Sequence, residues 1–347
     1  MPRRLAITAP HVVEVLNYED RAPGDNEVMV RTEIASGKHG TTQAMFDNVN
    51  FRGYDFDQDM RLFVEKDSKD EGKKERKPLN TGTTGVGVVE AVGAKVERWK
   101  AGDRVFGFMD IRETNICNED SLWELGDIDP TEALCIEPAY VSFHCIRESN
   151  LRFGDTVVVV GLGAIGLIAV QMAHKAGAET VIAVDPLEPR RNWAKNNGAD
   201  YVLNPSECDV GLEVHRLTSG KGTDISIEVA GSYQALQTAM RCTRVMGTVC
   251  SAGFYQGEAH SLWLGREWHH NRLNIVVPHG CGWGHVPRDF PRWDEKRAYD
   301  SMVSLLRKGY LRVPGLIHPI VSIEDGPKVW ELIEKKPAEV IKYAVRF

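Results

Sequence analysis

The segment Val157-Val-Val-Val-Gly161-Leu-Gly163-Ala-Ile-Gly166 restricts this chain more than any other. Four consecutive valines read as a strand covered on both faces, because β-branched side chains suit a pleated, buried surface. The glycines follow at the spacing Gly-x-Gly-x-x-Gly and open a helical pattern over 164–176. Each has a separate task in that pattern. Gly161 permits a tight turn. Gly163 lacks a Cβ and lets the backbone approach a pyrophosphate. Gly166 lets the helix pack closely on the strand. Ala164 and Ile165 lie in the first helical turn, where free N–H groups and the positive dipole end face a bound phosphate. A second strand pattern, Thr180–Val184, ends at Asp185, 19 residues beyond Gly166. An acid there accepts a hydrogen bond from a dinucleotide ribose. Asp185 repels a 2′-phosphate and favours NAD over NADP. Arg190 pulls the other way, since a nearby Arg can receive that phosphate.

Short apolar runs alternate with helical patterns from residue 156 onward. The runs are Thr156–Val160, Thr180–Val184, Tyr201–Leu203, Ile225–Val229, Gly247–Ser251 and Leu273–Val277. Helical patterns lie at 164–176, 189–197, 210–218 and 233–241. Strand and helix in alternation predict a doubly wound parallel sheet. Residues before about 140 are β-rich, with strand patterns at Glu27–Ile34, Gly85–Val92 and Arg104–Phe108. The tail from about 295 reads as helix (296–308), strand (319–322), helix (326–335) and strand (341–347). The charged run from Asp67 to Lys77 reads as a solvated loop.

Composition narrows the class. A chain of 347 residues suggests about two domains. The net charge of −7 argues against nucleic acid, whose binders carry a basic face. Seven cysteines, none spaced Cys-x-x-Cys, argue against a disulfide framework and a four-thiolate zinc site. No apolar run reaches the roughly 20 residues that cross a bilayer, and no signal-peptide pattern opens the chain. A cytoplasmic protein without a membrane partner is the expectation.

Other segments carry a resemblance. Ala35-Ser-Gly-Lys-His-Gly-Thr-Thr resembles the Ala-x-Gly-x-Cys-Gly-Thr-Asp segment of the medium-chain dehydrogenases. Pro78-Leu-Asn-Thr-Gly-Thr-Thr-Gly-Val-Gly is similar to their Pro-x-x-x-Gly-His-Glu segment. Ala101-Gly-Asp-Arg-Val and Glu137-Pro138 also match. The similarity spans the chain and is closest to the sorbitol dehydrogenase branch. It implies an α/β fold: a GroES-like β-barrel catalytic domain (1–140 and 295–347) around a Rossmann domain (141–294). It also implies that Ser251, Ala252, Gly253, Val276, Val277 and Pro278 line the nicotinamide half of the cleft. Relatives form homodimers and homotetramers, so a homo-oligomer is expected.

The family's zinc ligands are altered here. His39 stands where the family has its first ligand, a Cys. Thr83 and Thr84 replace a His-Glu pair, and Thr42 replaces the Asp that orients the ligand His. Glu137 alone is unchanged. The family's four-cysteine lobe is reduced to Cys117. Catalytic zinc needs three protein ligands and an open position. Threonine hydroxyls are poor ligands, so no catalytic zinc is expected; the other reading is an altered site holding His39 and Glu137.

Without a metal, a side chain must take the hydroxyl proton during hydride transfer. His39, with an ordinary pKa near 6.5, suits a general base. Lys38 and Glu137 are further candidates, and Thr41 matches the family's proton-relaying hydroxyl. Thr83 and Thr84 can hydrogen-bond substrate or fill the space a metal would take. His269 and His270 read as structural; His279, Cys281, Trp283 and His285 form a Gly-rich loop with only a weak metal signal. The leading expectation is NAD-dependent oxidation of a secondary alcohol on a polyol, cyclitol or sugar-like substrate. The alternatives are a zinc-free enoyl or quinone reductase and a non-catalytic NAD-binding protein.

Overall fold

The computed structural model describes residues 1–38, 40, 42, 53–65, 77–279 and 290–347. His39, Thr41, most of the charged run from Asp67, and the residues Cys281, Trp283 and His285 lie outside the described residues.

The N-terminal strands are β1 (Arg3–Ala9), β2 (Val12–Asn17), β3 (Glu27–Ser36), β4 (Tyr54–Asp57), β5 (Leu62–Glu65), β6 (Leu79–Asn80), β7 (Thr84–Val92), β8 (Arg104–Gly107), β9 (Thr114–Asn118) and β10 (Leu122–Glu124). The Rossmann strands are β11 (Thr156–Val160), β12 (Thr180–Val184), β13 (Tyr201–Leu203), β14 (Thr223–Glu228), β15 (Thr243–Ser251) and β16 (Asn274–Val276). The tail adds β17 (Ile317–Ser322) and β18 (Lys342–Arg346).

In the barrel, β1 pairs with β2 and β6, and the larger sheet runs β10-β8-β7-β3-β18-β17, with β9 also on β3. β3 reads as a half-buried strand should. Val28, Val30, Thr32 and Ile34 are buried, while Arg31 is exposed. Its outer half pairs antiparallel with β18, Ala344 opposite Ser36. The tail is therefore a structural part of the barrel. The hairpin β4–β5 stands apart from both large sheets and has no clear counterpart in the sequence pattern.

The second sheet runs β13-β12-β11-β14-β15-β16, and every pairing in it is parallel. This is the 3-2-1-4-5-6 order, with the switch point between β11 and β14. β15 starts at Thr243, ahead of the predicted Gly247. Its early residues bulge against β14, with Met246 at φ 58°, before regular pairing resumes at Thr248.

The four valines explain the layering. Val157 and Val159 enter one core with Leu167, Val170 and Met302, while Val158 and Val160 enter another with Val214, Leu236 and Met240. Period-two alternation thus sends neighbouring side chains to opposite helical layers. Each such valine contributes about 1.5–3 kcal/mol by leaving water. No helix among the described residues is long and apolar enough to cross a membrane.

Among the described residues, most of the thiols are free and buried. Cys117, Cys135, Cys145, Cys242 and Cys250 are buried. Burial pushes the thiols of Cys117, Cys135 and Cys242 up to about 12. All five should remain unlabelled when the native protein is treated with iodoacetamide at pH 8 and mapped by mass spectrometry. Rapid native labelling of any of them would contradict this packing.

Candidate active site and cofactor cleft

The glycine loop forms where β11 meets the helix Ala164–Lys175. Gly161 sits at φ 96°, a region that favours glycine. A Cβ on Gly166 would fall 1.9 Å from the Gly161 carbonyl oxygen, so the helix approaches the strand only because that side chain is absent. A Cβ on Gly163 would meet nothing within 4 Å. The space above Gly163 is open, and Gly163 caps the helix without a side-chain bond to its first amides. An open cradle with unpaired N–H groups suits a pyrophosphate.

Asp185 lies where the sequence places it, at the end of β12, and is buried. Its Oδ2 accepts the Leu162 amide at 2.8 Å, and its Oδ1 accepts the Leu187 amide at 2.8 Å. The acid therefore fixes the glycine loop. Arg190 does not extend freely beside it. Its Nη2 donates to the carbonyls of Pro337 (3.0 Å) and Val340 (2.8 Å), and its Nη1 lies 3.8 Å from Asp185 Oδ2. Burial pushes this guanidinium below its ordinary value, and Asp185 opposes the shift. Both Nη2 contacts tie the guanidinium to the tail.

The far side of the cleft holds a residue the sequence reading passed over. Glu228, at the end of β14, is fully buried. Its Oε1 accepts the amides of Ala230 and Gly231 at 2.8 Å each, and Tyr255 donates to Oε2. Its backbone carbonyl accepts from Ala252 (2.8 Å) and Gly253 (3.1 Å). Glu228 thus pins the predicted loop 251–253 beside the glycine loop. Burial pushes its carboxyl up. An acid at the end of a Rossmann strand, followed by Val-Ala-Gly, was the available signal. Ser251 is buried, with its hydroxyl 2.9 Å from that of Tyr255. Pro278 is buried, Val276 half-buried and Val277 exposed.

In the barrel, the ends of β3 and β7 bring Lys38 and Thr83 together with Glu137, on the helix Ile136–Glu148. Lys38 Nζ lies 2.7 Å from Glu137 Oε1. The Lys38 carbonyl accepts from the amide (3.0 Å) and the hydroxyl (2.7 Å) of Thr42. Thr83 donates its amide (2.9 Å) and its hydroxyl (3.2 Å) to the Ser36 carbonyl. Thr84 is fully buried, and its hydroxyl has no hydrogen-bond partner among the described residues. Lys342, on β18, also comes here unforeseen. It is buried, and its Nζ donates to the Gly37 carbonyl at 2.7 Å. Burial pushes this ammonium down, against the pull of Glu137. A lone lysine in a terminal strand carries no sequence signal.

The described donors do not compose a zinc site. Glu137 is bonded to an ammonium rather than free for a cation, and two threonines occupy the usual ligand-pair positions. No group of three His, Cys, Asp or Glu side chains gathers among the described residues. Two surface cavities, of about 690 and 660 Å³, open on the barrel; none of the glycine-loop residues, Lys38 or Glu137 lines either.

A glycine loop at the switch point of a 3-2-1-4-5-6 sheet, beside a barrel completed by the tail, defines a two-domain dehydrogenase of the NAD(P)-binding kind. Comparison with known proteins agrees. The model of the "Zinc-binding dehydrogenase" family matches residues 164–294, and that of the "Alcohol dehydrogenase GroES-like domain" matches residues 24–127. D-guloside 3-dehydrogenase of Escherichia coli is 36% identical over 351 residues, covering 99% of this chain and 100% of that one. Sorbitol dehydrogenase of Bacillus subtilis is 30% identical over 210 residues, covering 51% of this chain and 59% of that one. A Sinorhizobium meliloti dehydrogenase solved with NADP shares the fold at TM-score 0.75 and 21% identity, covering 100% of this chain and 99% of that one. The chain belongs to the medium-chain dehydrogenase superfamily, among its alcohol and polyol dehydrogenases.

Two measurements test this cleft. Gly166→Ala should cost about 1–3 kcal/mol of stability by overpacking. Gly163→Ala should leave stability unchanged yet weaken NADH binding by more than about tenfold, a loss of about 1.4 kcal/mol. Equal effects of the two variants on unfolding and on binding would refute the division of roles. For Lys342, a folded-state pKa below the ordinary value means the unfolded chain holds more protons between that value and about 10.4. Stability therefore rises with pH through this window. In urea unfolding from pH 7 to 9.5, the difference between Lys342→Met and the native chain should shift steadily in favour of the native chain. A pH-independent difference would show that Lys342 titrates normally.

Proposed function

We propose that this dehydrogenase oxidises a secondary hydroxyl of a polyol, cyclitol or sugar-like substrate with NAD, without a catalytic zinc. The observation that carries the proposal is the Lys38–Glu137 ion pair, which takes up the one carboxylate left at the family's metal position. The sugar-like substrate is supported by the full-length similarity to a relative named D-guloside 3-dehydrogenase. NAD is supported by Asp185, whose charge opposes a 2′-phosphate, and by the engagement of Arg190 with two tail carbonyls.

NAD, when bound, supplies the acceptor for the hydride leaving the carbinol carbon. Gly163 and the amides that open the helix Ala164–Lys175 hold the pyrophosphate, and Asp185 holds the adenosine ribose. Glu228 keeps the loop 251–253 in place along the nicotinamide half. The hydroxyl proton passes to His39 through Thr41, by the resemblance of both positions to the family's catalytic segment. The Lys38 ammonium offers positive charge where alkoxide character develops, and Glu137 holds that ammonium in place. The buried, unpartnered hydroxyl of Thr84 is available to a substrate oxygen. We further propose a cytoplasmic homodimer or homotetramer, acting on a small-molecule alcohol–carbonyl pair.

Absorbance at 340 nm with a panel of alditols, inositols and methyl glycosides tests this reading. NAD should exceed NADP in kcat/KM by about a hundredfold, since an uncompensated like charge costs several kcal/mol. His39→Ala should lower kcat by about 10²–10⁴ while NADH binding is kept. One equivalent of tightly bound zinc in the active protein, or an unchanged kcat in His39→Ala, would overturn the metal-free mechanism.

A further inference from the structure

Arg190 belongs to the Rossmann sheet's second helix, yet its two short hydrogen bonds go to the other half of the molecule. Both acceptors, Pro337 and Val340, lie in the turn between the helix Gly326–Lys335 and β18. Nε of Arg190 has no partner among the described residues, so these carbonyls and the Asp185 carboxylate are what hold the guanidinium. The side chain is only 15% exposed, so water competes weakly for these bonds.

Both ends of this contact lead to functional groups. At one end, Asp185 holds the Leu162 amide of the glycine loop. At the other, Val340 precedes Lys342 by two residues, and Lys342 Nζ donates to the Gly37 carbonyl, next to Lys38. β18 also grips the end of β3 directly, since Ser36 Oγ donates to the Tyr343 carbonyl at 2.8 Å. An ion pair at 3.8 Å, the Arg190 hydrogen bonds, two residues of backbone and the β18–β3 seam therefore link Asp185 to the Gly37–Lys38 loop.

We infer that Arg190 is a positioning residue: a clamp through which occupancy of the adenosine half of the cleft orders the tail and the Gly37–Lys38 loop. The inference rests on the dinucleotide reading above. A ribose hydroxyl bound to Asp185 fixes the carboxylate and, beside it, the guanidinium. The guanidinium fork holds two carbonyls of the tail, and Lys342 and Tyr343 pass that order to the catalytic loop. Such coupling is reciprocal, so ordering the catalytic loop tightens the adenosine site to the same extent.

ADP-ribose, which carries the adenosine half without nicotinamide, separates the possibilities by hydrogen exchange on the whole protein. In the native chain it should slow amide exchange in two places, the glycine loop and the peptides covering 337–346 and 34–38. In Arg190→Ala, ADP-ribose should bind within about fivefold of the native affinity, because Asp185 keeps both its amides. The slowing at the glycine loop should persist, whereas that at 337–346 and 34–38 should fall by about tenfold, the loss expected for hydrogen bonds to a charged donor. Arg190→Lys, whose ammonium can still reach a carbonyl, should restore part of it. If Arg190→Ala folds poorly, Arg190→Gln is measured instead and should show the same selective loss. Undiminished slowing of the tail in a folded variant lacking the guanidinium overturns the clamp alone. Failure of ADP-ribose to bind the native chain overturns the dinucleotide reading and the coupling together.

Discussion

The Asp185 carboxylate is the point on which the cofactor half of this molecule depends. It is buried, and it receives one amide from the glycine loop and another from the start of the next helix. Removing it would strand the buried Leu162 amide and the half-buried Leu187 amide, and leave the Gly161 amide's bond to the Val184 carbonyl to hold the turn after β11. One residue therefore joins two adjacent βα units at their carboxyl ends, where doubly wound folds place their ligands. Glu228 does the corresponding work across the switch point, where its carboxylate gathers the amides of the β14 loop.

The barrel half turns on a pair of opposite charges. A metal ion concentrates charge at one point and demands several ligands. Here an ammonium on a flexible stem meets a single carboxylate, and both side chains keep some exposure, 31% and 15%. Partial solvation limits the desolvation cost that a fully buried pair would carry. A second ammonium, that of Lys342, lies behind it on a backbone carbonyl. Among the described residues, the region thus sets two lysine side chains close to one carboxylate.

Much of this was legible in the sequence because it is local. The Gly161–Gly166 spacing, the four valines and Asp185 each express a constraint that operates within the first βαβ unit of the sheet. Strand and helix positions in the parallel sheet follow the same alternation, and β15 departs from it only where a bulge lengthens the strand. The Lys38–Glu137 contact joins residues 99 positions apart, so the two residue types were legible but their pairing was not. Lys342 and the carbonyl hold on Arg190 were not legible at all. They depend on where the tail returns, and a backbone carbonyl has no signature in the chain. Arg190 illustrates the limit: its neighbourhood to Asp185 was readable, but its partners lie about 150 residues away.

The pairing of β3 with β18 also sets an order of assembly. Ser36 and Tyr343, which bond across that seam, are separated by 307 residues. During synthesis the parallel sheet has all its strands once β16 has emerged, whereas the layer over Val157 and Val159 is completed only by the later helix that carries Met302. β3, made long before, keeps its outer edge unpaired until β18 arrives, and an open strand edge invites pairing with other chains. The barrel is begun before the parallel sheet and closed after it, so the Gly37–Lys38 loop lacks its backing strand until β18 has been made.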